Sequence, residues 1–485
     1  LGIVLGTPTA APPPWLLRQH PELAFVEADG RARRAGARRH HCPTAPAFAA
    51  HAARITGYMA ARWGRHPAVV GWQLDNELGC HGSARCACAG CVARFQAWLA
   101  ARYGTVEALD AAWGTAVWGQ RAQAWEDVGP PVGLGYQPNP AHWLDWCRFA
   151  SEGHAGFVAA QAALVRKHAP GRWVTTNLVG GADDLDPVGL VAELDLAGTG
   201  NYAPPGQPWE DRARGLDLVR GLLDRPFWVL EQPAGAVDWA ETAPALRPGE
   251  ARLAAFQAIA HGADGLLWWR WRQATAGAEQ LHGAILPHDG LPGRMLGELA
   301  ALAAELRRLP PLGHRRASVC VLSDVPARWG LRLQPGDRSG GPDAWERPWY
   351  DALVARGLDV DVRPPGAELG GYPLVVAGSR YLADEGLAAR LEAYVAGGGT
   401  LVLGPRSGFL DGAGRVPLSG PPGRLRRLAG VRVAEVDVPG PTQPNALRFA
   451  EGETFACGGW REWLEPDEGT LVAATYAADY LRGVA

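Results

Sequence analysis

The sequence predicts a parallel (β/α)8 barrel over residues 1–308, followed by a smaller open α/β sheet over residues 309–485. Three observations predict it. Short apolar runs alternate with amphipathic helical stretches through the first part of the chain. Two of those runs, Gly71-Trp72-Gln73-Leu74-Asp75-Asn76-Glu77 and Phe227-Trp228-Val229-Leu230-Glu231, end on a glutamate, as strands do when they deliver an acid to the carboxyl end of a barrel. A break at Leu309-Pro310-Pro311-Leu312-Gly313 then precedes a second strand–helix alternation.

The strand-like runs fall at 2–6, 69–77, 173–178, 194–202, 227–231 and 265–272. Helical patterns lie between them at 47–63, 92–103, 143–168 and 247–261. Six such units are present where a closed barrel takes eight, so the other two are expected ahead of Leu1, which opens in mid-strand. The chain therefore reads as a fragment, and a six-stranded barrel with open edges predicts poor solubility or activity for this stretch by itself. Beyond the break, strands are expected at 317–322, 358–362, 374–377 and 400–403, with helices at 348–356 and 385–395. No G-x-G-x-x-G follows the first of these strands, and Gly397-Gly398-Gly399 precedes a strand, so assembly fits this domain better than nucleotide binding.

Composition narrows the class. At 485 residues, with 47% apolar residues, two large cores are affordable. A net charge of −3 supplies no basic field for nucleic acid or an anionic membrane. No apolar run is long enough to span a bilayer. The 21 Trp offer flat faces for stacking on sugar rings, or else fill the cores.

The two strand-end glutamates suit glycosidic bond cleavage, which needs a pair of carboxyl groups. Glu77 reads as the acid/base, and Asn76 before it as a partner for the sugar hydroxyl beside the anomeric carbon; the bland alternative is a solvated loop acid. Glu231 reads as the nucleophile, or as the partner of an arginine such as Arg270 or Arg272, which would also hold it ionised. Aromatic and polar groups near strand ends add Trp118, Tyr202, Trp239, Glu279 and His282 as sugar contacts, each with a core or ion-pair alternative. Tyr202 is placed to bond Glu231.

Cys86, Cys88 and Cys91 form a C-x-C-x-x-C knot, and Cys42 lies upstream. Four thiolates in tetrahedral reach suit a structural Zn2+ with no open position for water; a disulfide or free thiols are the alternatives. Cys80 is close enough to compete as a ligand, while Cys147, Cys320 and Cys457 read as buried thiols. So many unpaired cysteines favour a reducing, cytoplasmic setting, and no organic cofactor is called for.

These residues resemble glycoside hydrolase family 42, the β-galactosidases of clan A. The resemblance is carried by Thr7-Pro8-Thr9-Ala10, Arg38-Arg39-His40-His41-Cys42, Gln73-Leu74-Asp75-Asn76-Glu77, Cys86-Ala87-Cys88-Ala89-Gly90-Cys91, Arg102-Tyr103-Gly104-Thr105, Ala112-Trp113-Gly114-Thr115, Val229-Leu230-Glu231-Gln232 and Arg270-Trp271-Arg272-Gln273. It implies a TIM barrel, a flavodoxin-like α/β domain used in homo-trimer formation, and a small β domain expected to be missing here. It also implies Glu77 as acid/base, Glu231 as nucleophile, a four-cysteine zinc site, and sugar contacts at Asn76, Trp118, Tyr202, Trp239, Glu279 and His282. Gly198-Thr199-Gly200-Asn201 departs from the family pattern, where a Trp-Asp pair is expected, and the stretch from Tyr202 to Glu231 is short. The expected activity is retaining hydrolysis of small β-galactosides. The alternatives are α-L-arabinopyranosidase or β-fucosidase activity, and an inactive carbohydrate-binding homologue.

Overall fold

The computed structural model describes residues 1–179, 183–202, 207–313, 315–333, 342–439 and 443–485. It divides into two compact units, one of Leu1–Cys88 with Ala150–Arg316, the other of Ala89–Phe149 with Ala317–Ala485.

The first unit is parallel β/α. Its strands are β1 (Ile3–Gly6), β2 (Val69–Gln73), β3 (Trp173–Thr175), β4 (Asn177–Leu178), β5 (Gly198–Gly200), β6 (Phe227–Glu231) and β7 (Ala263–Leu266). They pair in chain order, β1-β2-β3 and β4-β5-β6-β7, all in parallel. Only Thr176 separates β3 from β4, so the predicted run at 173–178 is one strand with a single irregular residue. Helices Pro46–Trp63 and Glu250–Ala260, with residues 150–168 of the helix Pro140–His168, fall on the periodic stretches, as the pattern of a barrel requires.

Part of the Trp content belongs to this sheet. A Cβ on Gly71 would lie 2.3 Å from the Trp173 ring, and one on Gly265 would lie 2.4 Å from the Trp228 ring. The two indoles meet at 4.7 Å between centroids. Glycine on one strand thus makes room for tryptophan on the next, a packing role without sugar. Gly198 follows the same logic, because Leu230 Cδ1 fills the space 2.3 Å from its absent Cβ.

The second unit begins with helices Ala89–Tyr103 and Val106–Trp113. Gly104 turns between them at φ +77°, and Thr105 Oγ1 caps the second by accepting from Ala108 N at 3.2 Å. Buried Asp145 accepts from Tyr103 Oη at 2.5 Å and from Trp113 Nε1 at 3.0 Å. The Arg-Tyr-Gly and Ala-Trp-Gly motifs are therefore structural.

The rest of this unit holds a parallel sheet of β8 (Val319–Leu322), β9 (Val360–Arg363), β10 (Leu374–Ala377) and β11 (Thr400–Leu403), ordered β9-β8-β10-β11. That order is the flavodoxin-like doubly wound one. Its core gathers Cys320, Leu322, Val375, Ala377, Leu387 and Leu391. Beyond it lie antiparallel strands that the sequence reading omitted, with Val431–Asp437 on Arg461–Pro466, and Asn445–Phe449 between Thr454–Cys457 and Ala474–Tyr476. Their signal is the alternation of Val431-Arg432-Val433, which breaks at the irregularity between Val433 and Glu435.

Candidate active site

The tip of β2 is built around an unusual turn. Asp75 and Glu77 hold left-handed backbones, at φ +56° and +50°. Such residues cost of order 1–3 kcal/mol each and persist only where their surroundings hold them. Here Asp75 N donates to Thr7 Oγ1 at 2.7 Å, Asn76 N to Asp75 Oδ1 at 2.7 Å, and Glu77 N to the Asn177 carbonyl at 3.0 Å.

Glu231 ends β6 in the same cleft, which measures about 1210 Å³ and is lined also by Asn76, Glu77, Tyr202, Trp239, Glu279 and His282. Glu231 Oε1 accepts from Asn177 Nδ2 at 2.9 Å, and Oε2 from Tyr202 Oη at 3.1 Å. Asn177 Nδ2 also reaches Asn76 Oδ1 at 3.1 Å, which accepts from Gln73 Nε2 at 2.9 Å. These bonds fix the flip of the Asn76 amide, with its oxygen toward Asn177 and Gln73 and its NH2 turned away from them.

The two carboxyls have different surroundings. Arg38 Nη2 lies 2.7 Å from Glu77 Oε2. Burial pushes the Glu231 carboxyl above the usual carboxylate range, and the Glu77 charge adds to this; the Tyr202 bond and Arg38 work in the other direction. Burial, then Glu231, pushes the Tyr202 phenol up, so it remains a donor. The expectation that Arg270 or Arg272 is the cation for Glu231 needs correction. Arg270 is directed at Glu279, bonding its carbonyl and lying 4.0 Å from its carboxylate, and Arg272 donates to the His288 carbonyl at 2.7 Å. Arg272 pairs with Leu286 in a parallel bridge, and this places its side chain beside that loop.

The remaining wall is aromatic. Trp239 meets Tyr202 edge-on at 5.6 Å, and Tyr202 meets the buried His282 edge-on at 6.3 Å. His282 Nδ1 is 3.4 Å from Asp238 Oδ1. Glu279, also left-handed at φ +58°, accepts from Trp269 Nε1 at 3.2 Å. Trp118 belongs to the second unit, where it is 73% exposed and meets Tyr136 edge-on at 5.5 Å. Arg38 and Asn177 were missed by sequence reasoning. Arg38 lies in a loop without periodicity, and Asn177 sits inside a strand, where side-chain direction is not legible from residue type. Part of the altered stretch after Tyr202, residues 203–206, lies outside the described residues.

Cys42, Cys86, Cys88 and Cys91 are all buried, with sulfur atoms within 4.8 Å of one another. Val26 N donates to Cys86 Sγ at 3.4 Å and Arg94 Nη2 to Cys91 Sγ at 3.3 Å, donors that suit thiolates. The set fits a metal ion. Cys80 stands apart, lining the cleft and bonded by Arg39. Cys147 and Cys320 are buried, but Cys457 is half-buried, because it ends a strand of a small, largely exposed sheet.

Comparison with known proteins gives a consistent result. A family profile described as "Beta-galactosidase" matches residues 1–309, and one described as "Beta-galactosidase trimerisation domain" matches residues 317–485. The chain is similar to β-galactosidases of a Thermus species and of Thermus thermophilus, each 40% identical over 486 residues, 96% of this chain and 74% of theirs. Its structure is similar to that of the polyextremophilic β-galactosidase of Halorubrum lacusprofundi, at a TM-score of 0.96 and 34% identity over 100% of this chain and 75% of that one. The Bacillus circulans β-galactosidase follows at 0.94 and 31%, covering 100% and 74%. Among the described residues, no helix is long and apolar enough to cross a membrane.

Proposed function

This chain belongs to the glycoside hydrolase family 42 β-galactosidases, and from that membership we propose that it removes terminal β-D-galactose from small galactosides with retention, using Glu231 as nucleophile and Glu77 as acid/base. The observation that carries the assignment is the pair of strand-tip carboxyls in one cleft, linked through Asn177 and Asn76.

In the first step the Glu231 carboxylate attacks the anomeric carbon while Glu77 gives its proton to the departing oxygen. The glycosidic bond breaks and an ester to Glu231 forms. Glu77, now ionised, takes a proton from water, which attacks the same carbon and releases galactose and the Glu231 carboxylate. Tyr202 and Asn177 hold the attacking carboxylate in place and favour its charged form. The sugar contacts of this reading are Asn76, Tyr202, Trp239, Glu279 and His282.

Cys42, Cys86, Cys88 and Cys91 hold a structural Zn2+ in this reading, a closed four-sulfur set that crosslinks the chain and takes no part in chemistry. Residues 1–308 are the catalytic domain and 309–485 the assembly domain of a homo-trimer, supported by the trimerisation profile. The enzyme works in the cytoplasm in this reading, in keeping with eight cysteines that form no disulfide among the described residues. The test is hydrolysis of chromogenic β-galactoside, α-L-arabinopyranoside and β-fucoside by the full-length protein, beside Glu231→Gln. The galactoside is expected to turn over fastest, and Glu231→Gln to abolish turnover; a folded protein inactive on all three, or an active Glu231→Gln, would contradict the assignment.

A further inference from the structure

We infer that Arg39 and Asp75, locked by the hydroxyls of Thr7 and Thr9, are positioning residues for the proton transfer made by Glu77; the inference rests on the reading of Glu77 as acid/base. Arg39 and Asp75 are each 2% exposed and form an ion pair inside the first unit. A buried ion pair is weak evidence of stabilisation, since apolar residues of the same volume often do as well, so the geometry it imposes needs explaining.

The bonds converge on one turn. Thr9 Oγ1 donates to Asp75 Oδ2 at 2.5 Å, and Asp75 N donates to Thr7 Oγ1 at 2.7 Å. Arg39 donates to Asp75 Oδ1 and to the Asn76 carbonyl, and it also bonds the Cys80 thiol. The Asn76 carbonyl belongs to the peptide that carries Glu77, so Arg39 holds the plane from which the acid/base projects. The clamp thus spans residues 75–80 and fixes two left-handed backbones at once. The Thr7-Pro8-Thr9 sequence at the end of β1 thereby finds a role in placing the acid on β2.

A displaced acid harms the reaction only where protonation is needed. The test compares kcat/KM of Thr9→Val, Asp75→Asn and Glu77→Ala, in the full-length protein, on methyl β-galactoside, a poor leaving group, and on 2,4-dinitrophenyl β-galactoside, which needs no protonation. Thr9→Val and Asp75→Asn are expected to lose about 10- to 100-fold on the methyl glycoside and less than about threefold on the dinitrophenyl one. Thr9→Val keeps the volume and carries the test if Asp75→Asn does not fold. Equal losses on both substrates, or no loss, in Thr9→Val while Glu77→Ala shows the selective loss would overturn the clamp alone. Equal losses in Glu77→Ala itself would overturn the acid/base assignment and the clamp with it.

Discussion

Replacing Tyr202 with phenylalanine should move the acid limb of kcat/KM to higher pH. That limb reports the ionisation of the nucleophile in the free enzyme. Glu231 attacks as the carboxylate, and burial already holds its carboxyl above the usual range. The 3.1 Å bond from Tyr202 Oη to Oε2 favours the ionised form, so its loss raises the carboxyl further. A bond to a charged group contributes about 1.5–3 kcal/mol; for this half-buried pair the lower end applies. About 1.4 kcal/mol is tenfold, so the ionised fraction on the acid limb should fall about tenfold. Well above the limb both enzymes are ionised and this component of the loss vanishes. Phenylalanine keeps the ring that meets Trp239 and His282, so the wall of the cleft remains. The assay is a pH profile of kcat/KM on a chromogenic β-galactoside. A loss of equal size at every pH, with the limb unmoved, would refute the reasoning.

Other perturbations follow from the same geometry. Arg38→Ala removes the 2.7 Å pair with Glu77 and a positive charge acting on Glu231, so the acid limb should also rise. Partial exposure limits that pair to about 0.2–1 kcal/mol, at most about fivefold, and a limb that falls would contradict it. Cys86→Ser should lower bound zinc and the melting temperature together, while Cys80→Ser should leave the zinc content unchanged; metal analysis and thermal melts decide it, and full zinc in Cys86→Ser would be the contrary result. Gly71→Ala drives a methyl to within 2.3 Å of the Trp173 ring and should destabilise the protein by about 1–3 kcal/mol in denaturant unfolding, an unchanged midpoint being the contrary result.

Much of the first unit was legible because parallel strands are buried on both faces and read as apolar runs, and the two that matter most end on glutamates. The strands at Ile3–Gly6, Val69–Gln73 and Phe227–Glu231 stand where those runs stand. Direction and partner choice were not legible. Arg38 reaches Glu77 from a loop, whereas the arginines nearer in pattern, Arg270 and Arg272, serve Glu279 and a carbonyl. Asn177 joins both halves of the site because the run at 173–178 pairs with β2 through β3 and with β5, the neighbour of β6, through β4. Trp content suggested sugar binding, yet Trp173 and Trp228 fill gaps left by glycines, a pairing that needs the strand register to be seen. The antiparallel strands after Gly430 were not legible, because the alternation that marks the first of them breaks between Val433 and Glu435.

The most direct test of the central claim is to trap the glycosyl-enzyme. Incubation with a 2-deoxy-2-fluoro-β-galactosyl fluoride slows the second step more than the first and leaves the sugar on the nucleophile. Peptide mass spectrometry is expected to find the label on Glu231, at a stoichiometry that matches the activity lost. A label on another residue, or inactivation with no covalent adduct, would contradict the account.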